Sequence, residues 1–375
     1  MGKEIILLTE TQRIALIRFC QALVNQQRAQ VIVAPKRPAS GHWFGGGNMV
    51  AGPDGALYLT GRFRNQGDSR TGLGLGERGL ALDILTSRDG GFTWNTILSF
   101  SKRDLDVAGH AVESIEGSAL RFAADGSVEL FVSSEKGDIR YPEGWEAYQK
   151  PGTGVWTIER LRAPTIYELR QAQVEPLLEC RDLRYVHVKD PVVYERTNGD
   201  TVLVFCTHPY CWTSSNSAYA VRRAGAAAFG PPVFEFFPRG ATWDVAMSRI
   251  TGLLRVPQIG PFTDGEPLVL MFYDGGESVR NLDEHAKAVR RPRGYSCEEL
   301  GGVAVALERD LRVHERLSLY LPMFVSPWGT GASRYVDVLP TEDGYLATWE
   351  QSQPNGSQPL VMHQLSRQDA ESLLR

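Results

Sequence analysis

The sequence predicts an all-β protein, a five-bladed β-propeller with an amphipathic helix at its N-terminus. Three observations lead to this prediction. The composition can fill a hydrophobic core, a β-hairpin pattern recurs five times, and further apolar strands extend the hairpins into larger sheets. Antiparallel sheets that repeat at a fixed interval along a chain are the signature of propeller blades.

The composition describes a folded globular protein. The 375-residue chain has 42% hydrophobic and 22% charged residues, with 40 Lys and Arg against 44 Asp and Glu. Disordered chains are poorer in hydrophobic residues and further from neutrality. The near-neutral balance lacks the basic surface that binds phosphate backbones, so we expect no nucleic-acid partner. No run reaches the roughly 18 apolar residues of a membrane-spanning helix, so we expect no membrane segment.

The cysteines and the N-terminal segment predict a cytoplasmic protein. The cysteines number five, and the first residues lack the regions of a signal peptide. Cys206 and Cys211 have no second pair that would complete a zinc site, which favours buried free thiols. We therefore expect neither a metal nor a cofactor.

The N-terminal segment predicts a helix over residues 9–27. Thr9 and Gln12 form a capping box. One apolar stripe consists of Leu16, Phe19, Cys20, Leu23 and Val24. We expect this helix to pack outside the propeller as a structural cap. The predicted division is a helical segment at residues 1–28 and a propeller domain at residues 29–375.

The hairpin pattern consists of a short apolar strand, an Asp-Gly or Asn-Gly turn, and a second apolar strand. It recurs at residues 45–62, 116–134, 189–207, 248–276 and 334–351. The turn glycines, spaced by about 70 residues, are Gly55, Gly126, Gly199, Gly265 and Gly344. Glycine suits such turns because it tolerates a positive φ.

Further strands complete each repeat as a four-stranded sheet. In the first repeat these are residues 80–87 and 94–100, and in the third they are residues 215–223 and 232–238. The last repeat has one strand too few, so residues 29–35 are predicted to supply its outer strand and join the two chain ends. A long insertion at residues 277–293 interrupts the fourth repeat between its second and third strands.

Polar residues recur where the innermost strands should surround the propeller axis. The starts of the first strands and the ends of the second strands emerge on one face. First-strand starts carry residues 43–48, Glu113, Glu116, Lys189, Asp190, Trp243, Asp244, Arg249, Arg334 and Tyr335, and residues 43–48 run from Trp43 to Asn48. Second-strand ends carry Arg62, Arg64, Ser133, Glu135, His208, Tyr273, Asp274 and Glu350.

Carboxylates supply general acids and bases, arginines bind anionic or hydroxylated groups, and aromatic rings stack on sugars. The pattern indicates a carbohydrate site. The alternative is that the same charges form salt bridges between blades.

Two motifs carry a resemblance to known propellers. SRDGGFTW at residues 87–94 resembles the Asp-box of sialidases and other propeller proteins, which implies a turn between the third and fourth strands of a blade. In that resemblance Asp89, Gly91 and Trp94 are structural. KDPVV at residues 189–193 resembles the Asp-Pro signature of the five-bladed propeller glycoside hydrolases, the arabinanase/xylosidase and invertase/fructosidase groups.

This second resemblance covers the blade pattern over about residues 40–365 and implies that Asp190 orients a sugar or tunes an acid. The chain departs from those groups on the first inner strand, where residues 45–48 are Gly-Gly-Gly-Asn in place of a catalytic Asp. For the acid, the candidates are Glu116 and, after the insertion, Glu298 or Glu299.

The favoured hypothesis is a glycoside hydrolase that cleaves a terminal sugar from a glycan, and the converging arginines suggest an acidic sugar. The predicted catalytic carboxylates are Asp190, Glu116 and Asp244. The predicted substrate-binding residues are Arg62, Arg64, Trp43, Arg249, Arg334, Tyr335 and His208.

Three alternatives stay open. A polysaccharide lyase would use His208 or Tyr273 to abstract a proton beside a uronate. A noncatalytic propeller would only bind carbohydrate or protein. A sialidase-type arrangement would combine Arg62 or Arg64 with Arg249, Arg334 and Tyr335, although sialidases have six blades.

Overall fold

Five antiparallel sheets surround a common axis, which confirms the predicted all-β five-bladed propeller. The computed structural model describes residues 7–64, 79–149, 152–208, 214–276 and 299–375. The innermost strands of successive blades contact one another in chain order, and the fifth blade contacts the first.

Each blade is built from consecutive strands, running outward from the axis. The first contains β2 (Trp43–Gly45), β3 (Met49–Ala51), β4 (Leu57–Arg64), β5 (Ala81–Ser87) and β6 (Asn95–Ser101). The second contains β7 (Val112–Phe122), β8 (Val128–Lys136), β9 (Val155–Ala163) and β10 (Glu175–Leu178). The third contains β11 (His187–Glu195), β12 (Thr201–His208), β13 (Asn216–Arg222) and β14 (Val233–Phe237). The fourth contains β15 (Met247–Arg255), β16 (Leu268–Gly276), β17 (Leu300–Leu307) and β18 (Asp310–Arg316).

The fifth blade joins the two ends of the chain. Its inner three strands are β19 (Ser333–Thr341), β20 (Gly344–Gln351) and β21 (Leu360–Ser366), and its outer strand is β1 (Gln30–Val33). Gln30 pairs with Met362 and Val31 with Val361. The prediction that the N-terminal segment completes the last blade is confirmed.

The N-terminal helix α1 (Glu10–Leu23) begins at the predicted capping box. The Thr9 hydroxyl accepts a hydrogen bond from the backbone N–H of Gln12, whose side chain accepts one from the Thr9 N–H at 2.9 Å. The predicted stripe is buried in one core with side chains of the fourth and fifth blades. The Phe19 ring lies 5.4 Å from that of Tyr345. The C-terminal helix α2 (Arg367–Leu374) packs beside α1.

Four of the five turn glycines have the positive φ that the turn pattern anticipates, namely Gly55, Gly126, Gly199 and Gly344. Gly265 does not, and the preceding segment contains a short 3₁₀ turn at Gly260–Phe262 instead. The reversal between β15 and β16 is longer there, so it needs no left-handed residue at position 265.

The inner strands of the second to fifth blades each contain a β-bulge at a corresponding level. The bulges lie between Ile115 and Ser118, between Lys189 and Val192, between Ile250 and Gly252, and between Arg334 and Asp337. A bulge re-aims the side chains beside it and is common next to active sites. In the first blade the inner strand is instead interrupted between β2 and β3, where Gly47 passes too close to the Thr60 carbonyl for any side chain.

Hydrogen bonds close the turn between β5 and β6. Asp89 Oδ1 accepts from the backbone N–H groups of Phe92 at 3.1 Å and Thr93 at 3.0 Å. Trp94 Nε1 donates to the Gly91 carbonyl at 2.8 Å. Hydrogen bonds from Thr93 and Ser87 hold the pKa of Asp89 well below its usual range. The turn is thus tied to its own backbone at the outer edge of the first blade.

Several predicted features fall outside the described residues. They are Cys211, Cys297, Glu298 and the insertion at residues 277–293, which lie between described strands. Cys20, Cys180 and Cys206 are free thiols. Among the described helices, none is long and apolar enough to cross a membrane.

We expect Phe19→Ala to lower the free energy of unfolding by about 3 to 5 kcal/mol, because it leaves a cavity between α1 and the fifth blade. Chemical denaturation measures this change. Ile14→Ala, on the exposed side of the same helix, should cost less than about 1 kcal/mol. Equal losses in the two variants would show that the buried stripe does not anchor α1.

Candidate active site at the propeller axis

All five blades send charged side chains to one end of the axis, where they form two groups of ion pairs that interact electrostatically with each other. From the first blade to the fifth, the members of this network are Arg62, Arg64, Glu116, Asp190, Arg249, Asp274, Glu299, Arg334 and Glu350. Buried charges are costly unless they are paired, so each member depends on its neighbours.

Glu116 connects the first two blades. Its Oε2 atom contacts both Arg62 Nη2 and Arg64 Nη2, and these arginines come from the end of β4. Burial alone would raise the pKa of Glu116, but the Arg64 and Arg62 guanidinium groups lower it to about 2. Glu116 is therefore ionised at neutral pH.

Asp190 lies in the bulge of β11, next to the second blade. Its Oδ1 accepts from the Gly117 N–H at 3.1 Å, and its Oδ2 lies 3.3 Å from Arg249 Nη1. Its own N–H donates to Ser133 Oγ at 3.2 Å. Against the effect of burial, Lys189 and Arg249 hold the pKa of Asp190 well below its usual range. Asp190 also has a left-handed φ of 52°, a strain that persists only where surrounding contacts impose it.

Arg249 links three blades. Its Nη2 donates to Asp274 Oδ2 at 2.6 Å and also contacts Glu299 Oε2. The guanidinium lies over the Tyr335 ring at 4.1 Å. Tyr335 in turn donates its backbone N–H to Asp274 Oδ1 at 3.0 Å.

Asp274 and Glu299 share one guanidinium nitrogen, Arg249 Nη2, and Glu299 is also paired with Arg334. Burial raises the pKa of Asp274, Arg249 opposes this, and repulsion from Glu299 adds to it, which places the pKa at about 7. Although Glu299 is also desolvated, Arg249 and Arg334 keep its pKa below the usual range. The pair thus holds one proton near neutral pH.

Arg334 closes the network on the fifth blade. Its Nε donates to Glu350 Oε2 at 2.7 Å, and its Nη1 lies 3.2 Å from Glu299 Oε2. The Trp43 ring lies 4.9 Å from the Arg334 guanidinium and 5.6 Å from that of Arg64. Glu350 also interacts electrostatically with Arg62, and this interaction links the fifth blade to the first.

Only some members of the network reach solvent. The Glu299 side chain is 23% exposed, and those of Arg64 and Arg334 are each 12% exposed. Asp274 and Glu350 are almost fully buried. A ligand entering along the axis would therefore meet Glu299, Arg64 and Arg334 first.

The structure brings together nine of the ten predicted site residues. They are Trp43, Arg62, Arg64, Glu116, Asp190, His208, Arg249, Arg334 and Tyr335. His208 lies behind Asp190, since Cys206 Sγ is 3.6 Å from both His208 Nε2 and Asp190 Oδ2. Burial and Lys189 hold the pKa of His208 well below its usual range.

Asp244 lies apart from these nine. Its Oδ2 forms an ion pair with Arg316 Nε at 3.2 Å and accepts a hydrogen bond from the Tyr273 hydroxyl at 3.3 Å. Arg316 belongs to the outermost strand of the fourth blade, so this group faces away from the axis. Burial raises the pKa of Asp244. Tyr273, the candidate base of a lyase, is buried with it.

Sequence reasoning placed Asp274 and Glu350 at the pocket face but did not choose them as functional residues. Each lies directly opposite an arginine across a strand pair: Asp274 opposite Arg249, and Glu350 opposite Arg334. The structure also explains why the first inner strand contains a run of glycines. A side chain at Gly45 would collide with Glu350, and one at Gly46 would collide with Arg62.

The described residues contain no cluster of three or more His, Cys, Asp or Glu side chains suited to a metal ion. The chemistry available from the described side chains is that of carboxylates, guanidinium groups and aromatic rings.

The chain matches no protein-family model and no curated protein. Its fold is similar to a thermostable family-43 glycoside hydrolase at 13% identity, with a TM-score of 0.55 over 90% of this chain and 94% of that one. It is also similar to an endo-arabinase from Bacteroides thetaiotaomicron VPI-5482 at 12% identity, with a TM-score of 0.52 over 90% and 98%. A further glycoside hydrolase is 11% identical, with a TM-score of 0.60 over 96% and 97%. The resemblance to five-bladed propellers is thus confirmed at the level of fold.

We expect Glu116→Gln to lower the free energy of unfolding at pH 7 by an amount on the order of 3 kcal/mol. The lowered pKa stabilises the folded state above pH 4.5, and this contribution is lost as the pH falls toward 2. The wild-type and variant proteins should therefore converge between those two pH values in urea denaturation. Glu175→Gln, at a partly exposed ion pair with Arg160, is the control and should show a much smaller difference. A Glu116→Gln deficit that stays constant with pH would contradict the assignment.

Proposed function

We propose that the protein is a glycoside hydrolase that works with two carboxyl groups in the axial pocket. The observation that carries this proposal is the contrast in protonation around one pocket. Glu116 is ionised, whereas the Asp274–Glu299 pair retains a proton near pH 7. Carboxyl groups with such separated pKa values are what general acid catalysis beside a carboxylate base or nucleophile requires.

Glu299 is the proposed general acid, because it is the member of the pair that reaches solvent. The proton of the pair rests on Asp274, since the pKa of Asp274 is raised and that of Glu299 is lowered. In this scheme the proton passes to Glu299 and from there to the glycosidic oxygen as the bond to the anomeric carbon breaks. Asp274 is a positioning residue, which shares the proton of the pair and holds Arg249. Asp274 does not touch the substrate in this scheme.

Glu116 is the proposed base or nucleophile. It either takes a proton from the attacking water or bonds to the anomeric carbon, and the separation of the two carboxyl groups decides between inversion and retention. Asp190 acts through Arg249, which it holds from the side opposite Glu299. This differs from the sequence-based set of catalytic carboxylates in two ways: Asp244 is left out, and Asp190 becomes a positioning residue. Glu299 is one of the sequence-based candidates for the acid.

The proposed substrate is a glycan with a terminal acidic sugar. Five cationic side chains, the four axial arginines and Lys189, face five carboxyl groups, and the proton of the Asp274–Glu299 pair leaves one positive charge in excess. Arg64 and Arg334 are partly exposed cations and flank Trp43, whose ring offers a stacking surface. The similar folds named as arabinanase and glycoside hydrolase support a carbohydrate substrate.

A carbohydrate-binding protein without catalysis is the second candidate. It is favoured by the pairing of every axial arginine with a carboxylate, which is also the pattern of a purely structural network. The lyase alternative has less support, because Tyr273 hydrogen-bonds to Asp244 and His208 is buried behind Asp190.

The test is a panel of neutral, uronate and sialylated glycosides, with release of reducing ends and ultraviolet absorbance measured together. We expect hydrolysis by the wild type and a loss of at least a hundredfold in kcat for both Glu116→Gln and Glu299→Gln. Glu175→Gln, far from the axis, should retain full activity. Binding without turnover would support the second candidate instead, and an unsaturated product would indicate a lyase.

Rescue by added azide distinguishes the general acid from the base or nucleophile. Azide should restore turnover to Glu116→Ala by taking the place of the missing carboxylate, and the product would then be a glycosyl azide. In Glu299→Ala, only substrates with good leaving groups should keep their activity, because they need no proton. The reverse pattern would exchange the two roles.

We expect kcat/KM to fall as the pH rises above about 7, since the Asp274–Glu299 pair then loses its proton. Asp274→Asn removes the negative charge that keeps the proton on the pair. It should therefore move the alkaline limb to lower pH, whereas a merely structural role would lower activity equally at all pH values. The pH profile of kcat/KM distinguishes these outcomes.

A further inference from the structure

A second cleft lies at the opposite end of the third blade from the axial pocket. It has a volume of about 680 Å³ and lies between the outer strands of the third blade and the β17–β18 turn of the fourth. Its charged lining consists of Arg196, Arg223, Arg309, Asp310 and Arg312. Arg196 directly follows β11, so it is about 20 Å along that strand from Asp190.

Three of the four arginines already have carboxylate partners. Arg223 Nη1 donates to Asp200 Oδ2 at 2.7 Å. Arg312 donates from Nε and Nη2 to the two oxygens of Asp310, each at 2.8 Å. Arg309 pairs with Glu266 in the same forked manner. These three groups are electrostatically satisfied within the protein.

Arg196 is the exception. Its residue is only 8% exposed, and its Nε atom is buried without a hydrogen-bond partner. No carboxylate among the described residues forms an ion pair with it. Asp310 is near enough to interact electrostatically, but both of its oxygens accept from Arg312. A buried guanidinium that forms no ion pair and whose Nε lacks a hydrogen-bond acceptor destabilises the folded protein.

We propose that this cleft binds a carboxylate of a small organic ligand, with Arg196 as its counter-ion. The guanidinium presents a planar fork of N–H donors that fits a carboxylate. Ala226, Ala228, Pro231 and Val233 line the cleft and give an apolar surface for the body of the ligand. The site is independent of the proposed hydrolase activity.

The charge balance favours a carboxylate over a phosphate. One arginine is available for an incoming anion, and it matches one negative charge. A phosphate dianion would need a second free cation, whereas the other three arginines of the cleft are held by Asp200, Asp310 and Glu266. The carboxylate could belong to the uronate of an acidic glycan or to a free organic acid.

The experiment is isothermal titration calorimetry on the full chain with four probes: digalacturonate, hexanoate, inorganic phosphate and neutral galactobiose. We expect at least one of the two carboxylates to bind, and phosphate and galactobiose not to bind. Binding of digalacturonate alone indicates an acidic glycan, and binding of hexanoate alone indicates a free organic acid.

Three variants locate the binding. Arg196→Met should weaken it at least tenfold, and it should raise the Tm of the ligand-free protein because it removes an unpaired buried charge. Ala228→Trp places a bulky side chain at a lining residue and leaves Arg196 unchanged, and it should weaken binding similarly. Arg223→Gln is the matched control, because the Arg223 guanidinium is already ion-paired with Asp200. This variant should change the affinity less than threefold.

Four results would overturn the proposal: no binding of either carboxylate, a preference for phosphate, an affinity unchanged by both Arg196→Met and Ala228→Trp, or a lower Tm in Arg196→Met. Digalacturonate that binds the axial pocket would give a signal that persists in both variants. Such binding is therefore separable from binding in the cleft.

Discussion

The ring of ion pairs around the axis is the interaction on which the rest of the structure depends. Five blades converge there, and each contributes at least one charge that has little access to water. Removing a single member would leave its neighbours as buried unpaired charges, a costly arrangement. The network therefore fixes the relative positions of the blades while it builds the pocket.

The backbone adapts to this network at specific places. The bulges on four inner strands turn side chains such as Glu116 and Asp190 toward the pocket, where regular alternation would place the neighbouring residues on the opposite face. Asp190 and Tyr335 adopt left-handed φ values of 52° and 53° at two of these bulges. The inner strand of the first blade has glycines at this level. They leave room for the side chains of Arg62 and Glu350.

The axial pocket and the outer cleft differ in how their arginines are paired. At the axis, guanidinium groups are paired with carboxylates, and burial together with repulsion from Glu299 raises the pKa of Asp274 and keeps a proton on the Asp274–Glu299 pair. In the outer cleft, Arg196 is buried, its Nε has no hydrogen-bond partner, and no carboxylate in the described part of the chain forms an ion pair with it. Ion-paired groups such as those at the axis can shift one another's pKa, whereas an arginine without an ion pair is stabilised when an anionic ligand binds to it.

The sequence by itself determined the architecture and most of the pocket. The turn glycines, the capping box at Thr9 and the spare strand near Gln30 are local signals, and each predicts its own part of the fold. Position at strand ends was enough to bring nine of the ten predicted residues together. The tertiary structure alone decided which carboxylates share a counter-ion, because Arg249, Asp274 and Glu299 meet through pairing and folding across separate strands. It also decided that Asp244 faces Arg316 at the edge of the blade, since side-chain direction depends on bulges and packing that a pattern of residues does not record.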